Sequence, residues 1–284
     1  MILIADSGST KTEWEVRAQT PVPEGAANRR FHTQGINPIH QNDEQIMDIL
    51  REELLPQLVG LSALPAIAFY GSGVRPDQEE RMERLLREAF SPLIRRGLHI
   101  EAHSDLLGAA RALCGDSEGL ACILGTGANS CLYDGKHIVA NTPPLGYILG
   151  DEGSGAVLGK RFLNALYKGH LGNEIKSDFE AEMQMTLAEV IDRVYRQPLP
   201  NRWLASLSPF IHSRLDNLAV EALVIDNFSD FIARNIEPYH RRDLPLQAVG
   251  SVAFFYKDLL CQAAKKAGYA VGKILRSPLD SFQI

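Results

Sequence analysis

Long hydrophobic runs are missing from this chain of 284 residues. None approaches the roughly 18 consecutive apolar residues that suggest a spanning helix, so no membrane segment is expected. An excess of positive charge is missing too: Lys and Arg number 29 against 35 Asp and Glu, for a formal net charge of -6. That balance argues against a broad electrostatic footprint for nucleic acid or anionic lipid, and any anionic ligand must be held by a local site. Cysteine is scarce, with four residues, Cys114, Cys122, Cys131 and Cys261, none in C-x-x-C spacing. Their apolar neighbours favour buried thiols over a zinc or iron–sulfur site. The opening "MILIAD" reaches an acid with no basic leader, which does not read as a signal peptide, so the expected location is cytoplasmic. The sequon Asn227-Phe228-Ser229 carries no meaning without secretion.

What is present is ordinary globular material, 45% hydrophobic and 23% charged. The length allows one large or two medium domains. "MILIA", "EWEV" and "RFHTQG" read as three strands joined by short turns. Asn42 with Gln45 looks like a capping pair ahead of Ile46, Leu50, Leu54 and Leu58, which recur at helical spacing. "PAIAFYGSG" predicts a buried strand, and Asp77 with Glu80 opens a helix whose apolar face is Met82, Leu85, Leu86, Ala89 and Phe90. "LHIEAH" predicts a fifth strand before a helix starting near Ser104. The order is β-β-β-α-β-α-β-α.

The same grammar then restarts. "LACILGTGANSCLYDGKHIVAN" holds three short strand candidates, and both "MILIADSGSTKTEWEV" and "LACILGTGANSCLYD" run from an apolar strand through a small-residue turn into another strand. Residues 154 to 243 look largely helical, punctuated by Pro198, Pro200, Pro209, Pro238 and Pro245. "LQAVGSVAFFYKDLLCQAAKKAG" predicts a strand, a Gly-Ser turn and a helix, and "AVGKIL" a last strand. The expected fold class is α/β, as two lobes, 1–113 and 114–284, with a helical insertion in the second at about 154–243.

The chemistry concentrates in the turns. In "LIADSGSTKTEW", Gly8 can allow consecutive backbone N–H groups to converge on an anion. Ser7, Ser9, Thr10 and Thr12 add hydroxyl donors, Lys11 adds a point charge, and Asp6 at the strand end can hold a magnesium ion through water. This describes a nucleotide phosphate site. The Walker spacing G-x-x-x-x-G-K-[ST] is absent, and a plain polar hairpin is the bland alternative. In "GTGANS", Gly125 and Gly127 permit close backbone approach, Thr126 can reach a phosphate, and Asn129 and Ser130 can bond a polyol.

The succession of "DSGSTKTEW", "GINP" at 35–38, "HSD" at 103–105, "GTGANS" at 125–130, "GDEGSG" at 150–155 and "AVGSVA" at 248–253 resembles the N-acetylglucosamine kinase branch of the acetate kinase, sugar kinase, Hsp70 and actin superfamily. That branch is grouped with the BadF-BadG-BcrA-BcrD ATPases. The resemblance spans nearly the whole chain. It implies two ribonuclease H-like (actin-like ATPase) lobes with a central cleft, the last residues packing back on the first lobe. It also implies ATP and Mg2+ as cofactors and an amino sugar, with N-acetylglucosamine the best single guess, as acceptor. Asp105, after a strand and at a helix start, becomes the base that takes a proton from the attacking hydroxyl. As a first-turn acid after Ser104 it would also make sense without catalysis. Asn37, Gly146 and Asp151 match sugar contacts, and Gly250 with Ser251 match the adenosine turn. Leu145 departs from the pattern, standing where an aromatic ring is expected beside the sugar, which removes a stacking surface. Members of the branch often form homodimers, for which no surface feature of this sequence argues. Two further readings are an ATPase that activates a partner redox enzyme and a non-catalytic sugar or nucleotide sensor.

Overall fold

A computed structural model describes residues 1–8, 10–17, 29–60, 64–91 and 98–282. The chain divides into two compact units: residues up to Gly108 together with the carboxyl-terminal stretch from Pro278, and Ala109–Ser277.

The first unit is built on a five-stranded sheet. β1 (Ile2–Ser7) and β2 (Lys11–Arg17) form a tight antiparallel hairpin, and β3 (Arg29–Gln34) extends it. On the other side of β1, β4 (Ala66–Gly71) and β5 (His99–Ser104) run parallel to it, giving the order β3-β2-β1-β4-β5. Strand alternation sorts the two faces. Ala5, Trp14, Phe31, Phe69 and Ala102 share one register row and are buried in the hydrophobic core. The next row holds His32, Glu13, Asp6, Tyr70 and His103, so one whole row of the opposite face is polar or titratable.

α1 (Asp43–Asp48) opens on the expected capping box, with Asn42 Oδ1 accepting from the Gln45 N–H at 2.9 Å and Gln45 Oε1 from the Asn42 N–H at 3.0 Å. It continues as a π-helical turn over Ile49–Leu54 and a tighter turn over Leu55–Leu58. The spacing of the apolar residues explains this. A strict four-residue repeat drifts by about 40° per step on an ideal α-helix, and the wider turn takes up the drift. Ile46, Leu50, Leu54 and Leu58 all end in the core. α2 (Pro76–Ala89) begins one residue before the expected Asp77, because Pro76 is preorganised for the first helical position. α3 (Asp105–Cys114) starts directly at the end of β5.

The second unit repeats the scheme. β6 (Gly119–Leu124), β7 (Ala128–Tyr133) and β8 (Ile138–Ala140) are antiparallel neighbours. β9 (Leu246–Val249) and β10 (Val271–Leu275) lie parallel beside β6, in the order β10-β9-β6-β7-β8. Read from β8, this is the pairing pattern of the first sheet. Between β8 and β9 come α4 (Gly146–Leu149), α5 (Gly155–Tyr167), α6 (Gly172–Met183), α7 (Leu187–Tyr195), α8 (Pro200–Ser206), α9 (Ser208–His212) and α10 (Leu218–Phe231). After β9, α11 (Ser251–Phe255) and α12 (Lys257–Lys266) complete the unit. Phe162, Phe179 and Phe210 pack ring against ring at centroid distances of 5.4 to 5.7 Å, anchoring the helices. Among the described residues, no helix is long and apolar enough to cross a membrane.

Candidate functional site

In the first unit, Ser7, Gly71 and Ser104 are register partners, so β1, β4 and β5 end level with one another. Ligands of α/β folds gather at such carboxyl edges. Asp6 sits one residue before the end of β1, and Asp105 immediately follows β5. With β4 between the two strands, the aspartates stand roughly 10 Å apart at the backbone. Burial pushes Asp6 up to about 7, helped by the charges of Asp105 and Glu13 and opposed by Lys11. Burial also raises Asp105 to about 6, while hydrogen bonds from backbone N–H groups, that of Leu106 at 2.8 Å included, pull it down. Two buried acids at neighbouring strand ends, with Lys11 as an exposed cation close enough to lower Asp6, make a place where a divalent cation is welcome. No three His, Cys, Asp or Glu side chains gather into a metal-ligand set among the described residues. A pair of this kind suits a magnesium ion that keeps water and takes most of its ligands from phosphate.

The raised values predict an opposite pH response in stability to that of most acids. Between the ordinary aspartate value of 3.8 and the raised values of about 7 and 6, the folded chain holds protons that the unfolded chain releases. Stability therefore falls as pH rises through that window. His103, raised above 6.5 chiefly by its bond to Glu101, acts in the same direction. In metal-free buffer the melting temperature should be higher at about pH 5.5 than at about pH 8, and Asp6→Asn should narrow the difference. A native melting temperature that climbs between those two pH values would contradict the assignment.

The hairpin turn behaves differently from the expectation. Gly8 is outside the left-handed region, and its N–H donates to the Lys11 carbonyl at 3.0 Å, so that amide is spent on closing the hairpin. Ser7 and Thr12 are fully buried. Their hydroxyls lie 2.7 Å apart, Ser7 Oγ donates to the Ile36 carbonyl at 3.0 Å, and Thr12 Oγ1 donates to that of Gln34 at 3.0 Å. The physical reason is alternation: with Asp6 on the polar face, Ser7 must enter the core face. Both residues brace the hairpin from inside, which corrects their expected place among exposed phosphate donors. Thr10 and Lys11 remain exposed, with Lys11 Nζ 2.5 Å from Glu13 Oε1. Ser9 lies outside the described residues.

Asn37 is half-buried after β3, its Oδ1 accepting from the Ile39 N–H at 3.0 Å and its own N–H donating to Gln41 Oε1 at 2.7 Å. The loop after β4 fits around it. Gly73 has φ of +82°, and a Cβ there would lie 2.2 Å from Asn37 Oδ1. Sequence reasoning saw a strand running into glycines at "YGSG" but missed that this loop seats Asn37.

In the second unit, three turns converge at the ends of β6 and β9. Gly155 at the start of α5 donates to the Gly125 carbonyl at 2.8 Å, and Ala156 donates to that of Thr126 at 3.2 Å. Gly250, with φ of +120°, would place a Cβ 2.4 Å from the Leu124 carbonyl oxygen and 3.3 Å from the Gly125 nitrogen. Ser251 is exposed, and Phe254 closes the first turn of α11 on the Gly250 carbonyl. Phe254, which sequence reasoning did not single out, is 39% exposed, with its ring edge-on to that of Phe255 at a centroid distance of 5.5 Å.

Asp151 is brought to the same turn as Gly127, where a Cβ would lie 3.2 Å from Asp151 Oδ2. Burial raises Asp151 to about 6, with Glu152 adding to the rise and an Ala128 backbone bond opposing it. Its backbone is left-handed, φ 54°, and its N–H donates to the Pro144 carbonyl at 2.8 Å. Leu145, also left-handed at φ 61°, and Gly146 are exposed on the same loop. The buried Asn227 supports this loop from α10, accepting from the Gly153 N–H at 3.3 Å and donating to the Ser154 carbonyl at 3.4 Å. Nothing local in the sequence marks that role. Asn129 is half-buried, its Oδ1 accepting from Asn141 Nδ2 at 2.9 Å. Ser130 is fully buried, donating to the Asn235 carbonyl at 3.2 Å with the Tyr239 hydroxyl 2.8 Å away. As with Ser7, alternation along β7 turns Ser130 inward, which corrects its expected exposure to a polyol. Cys114, Cys122 and Cys131 are buried, and burial pushes the Cys114 and Cys131 thiols up to about 11 and about 12.

No family model matches the chain, and no curated protein matches it. Among solved structures, one of a Porphyromonas gingivalis protein proposed to be an N-acetylglucosamine kinase is 48% identical, with 99% of this chain and 96% of that one covered and a TM-score of 0.92. A second, of a protein from Chromobacterium violaceum given the same proposed activity, is 21% identical over 95% of this chain and 94% of that one, with a TM-score of 0.68. A ROK family glucokinase from Streptomyces griseus, in complex with glucose and AMPPNP, shares the fold at 15% identity, covering 98% of this chain and 94% of that one at a TM-score of 0.57. Near-complete coverage at 48% identity, on a pair of sheets with one repeated pairing pattern, establishes the lineage: the chain belongs to the N-acetylglucosamine kinase-like family.

Proposed function

We propose that this protein is an ATP-dependent sugar kinase that moves the γ-phosphoryl group of ATP to a hydroxyl of an amino sugar, with N-acetylglucosamine as the acceptor. The observation that carries the reading is the Asp6 and Asp105 pair at the level ends of the parallel strands, in a chain 48% identical to a protein proposed to be such a kinase. Phosphoryl transfer asks mainly for positioning and for neutralisation of charge. When bound, magnesium neutralises phosphate charge, and Asp6 would hold it through water. Asp105 takes the proton of the attacking hydroxyl. Its value of about 6 leaves it ionised near neutrality yet a better base than an ordinary aspartate. Thr10 and Lys11 in the first unit, and Gly125, Thr126 and Gly127 in the second, are the phosphate contacts. Gly250 and Ser251 serve the nucleoside. Asn37, Asn129, Gly146 and Asp151 serve the sugar. The reaction belongs in the cytoplasm, where ATP is available.

Gly73→Ala tests the sugar assignment. Its Cβ would strike Asn37 Oδ1 and its backbone would be strained, so Asn37 must move. The sugar KM should rise by about tenfold, the loss of one good hydrogen bond, with the KM for ATP unchanged. A rise in both constants would place Asn37 elsewhere. The function itself is tested by coupled phosphorylation assays over glucosamine, N-acetylglucosamine, N-acetylmannosamine, N-acetylmuramic acid and glucose. Release of phosphate from ATP with no sugar phosphate formed across that panel would defeat the reading. Because exposed Leu145 offers no ring for stacking, the panel also decides which of the amino sugars is preferred.

A further inference from the structure

The polar face of the first sheet is covered in part by the carboxyl-terminal residues, and the way they are fastened is unusual. Glu15, whose side chain is 1% exposed, sits on β2 between two guanidinium groups. Arg17 Nε donates to its Oε1 at 2.7 Å, and Arg30 Nε to its Oε2 at 2.7 Å. A buried carboxylate needs such partners, and once held it fixes both arginines in turn. Both arginines also reach the carboxyl-terminal stretch. Arg17 donates to the carbonyl of Leu279 at 2.6 Å and to that of Phe282, and Arg30 pairs with Asp280 Oδ1 at 2.7 Å. Leu279 is fully buried beneath this clasp.

Phe282 is the end of the fastened stretch. Its ring stacks on Tyr70 with centroids 5.1 Å apart and planes 18° from parallel. Tyr70 is the register partner of both Asp6 and His103, so it lies between them on the polar face. Its hydroxyl donates to Glu101 Oε1 at 3.0 Å. The other oxygen of Glu101 is 3.5 Å from His103 Nε2, and His103 Nδ1 is 2.9 Å from Glu79 Oε1 on α2. Packing is tight along this chain: a Cβ on Gly108 of α3 would lie 2.7 Å from Tyr70 Cβ. His103 precedes Asp105 by two residues, at the point where β5 turns into α3.

We propose that the strap Pro278–Phe282 is a positioning element for Asp105, acting through Phe282 stacked on Tyr70 and the Tyr70–Glu101–His103–Glu79 chain that fixes the end of β5. Phe282 is thus a positioning residue, remote in sequence from every turn that touches substrate. The inference rests on the reading of Asp105 as the base. Stacking of the ring keeps the Tyr70 hydroxyl on Glu101, and that bond together with the ion pair to Glu79 holds His103 and the strand end in one geometry. Small displacements of a catalytic group cost turnover far more than affinity.

The experiment uses the full chain with Phe282→Ala, Phe282→Leu and Phe282→Tyr, compared by steady-state kinetics and by deuterium uptake of the peptide covering residues 99–107. Phe282→Ala should lower kcat by about tenfold with both KM values within about twofold of native, a split that points to misplacement of the base. Phe282→Leu retains burial without a ring and should behave like the alanine variant. Phe282→Tyr should restore native turnover. Uptake over 99–107 should rise in the alanine and leucine variants and stay native in the tyrosine variant. Native kcat in both Phe282→Ala and Phe282→Leu, or a parallel rise in both KM values without loss of kcat, overturns the proposal. If the native protein phosphorylates no sugar, the functional reading fails on its own, and the uptake of residues 99–107 still decides the strap: unchanged uptake in Phe282→Ala and Phe282→Leu rejects it.

Discussion

Asp105→Asn should lose turnover by about 10²- to 10⁴-fold while ATP still binds, because general-base assistance is worth that much and the substitution keeps shape while removing the proton acceptor. The backbone bond from Leu106 to Oδ1 can be kept by the amide oxygen, so the β5–α3 junction should hold. The variant should also be more stable than the native protein above about pH 6, since an ionised carboxylate is no longer buried. Isothermal titration with a non-hydrolysable ATP analogue, set beside kcat, checks both halves. Near-native kcat would remove Asp105 from the chemistry, whereas lost nucleotide binding would make it a ligand of the magnesium-nucleotide complex. Activity should fall as pH drops through about 7 to 6, the range in which Asp6 and Asp105 take up protons, while stability rises. Opposed trends of this kind separate loss of function from unfolding.

Gly250→Ala should be strongly damaging, both to stability and to the candidate nucleoside turn. At φ of +120° a side chain is strained, and the added Cβ would stand 2.4 Å from the Leu124 carbonyl oxygen, a backbone atom at the end of β6 with no freedom to swing away. Relief requires β6 and the β9–α11 turn to part, which moves Gly125 and the start of α11 together. Strain and overpacking of this size cost about 2 to 4 kcal/mol, enough to lower the melting temperature by several degrees. The KM for ATP should rise by more than about tenfold, with the sugar KM less affected. A variant with a native melting temperature and native KM for ATP would show that the turn tolerates displacement and that Gly250 has no special part in holding the nucleoside.

Much of the fold is legible because strands and turns announce themselves locally. The apolar run before "DSGST" and its echo before "GTGANS" both end in small residues, and both become the central strand of a sheet with the same pairing pattern. The Asn42 capping box, the face of α2 and the acid at the start of α3 depend on neighbours only a few residues away. Where the site was misjudged, the error lay in direction. Ser7, Thr12 and Ser130 are polar residues in a polar turn context, yet each sits on the inward side of its strand and spends its hydroxyl there. The period-two alternation that places Asp6 outward would have placed Ser7 inward, a signal available in the sequence and outweighed by composition. Gly73 and Asn227 gave no such signal. Their importance comes from Asn37 and Gly153, partners 36 and 74 residues away.

By itself the sequence determined the elements, their order, the repeated turn and the aspartates that end β1 and begin α3, because hydrophobic period, capping and turn chemistry act over a few residues. Only the tertiary structure decided which side chains of those turns face outward, which glycines have no room for a methyl, and that Glu15, Arg17 and Arg30 fasten the far end of the chain over Tyr70. Those outcomes depend on strand register and on contacts between residues up to 265 positions apart, which no local pattern encodes.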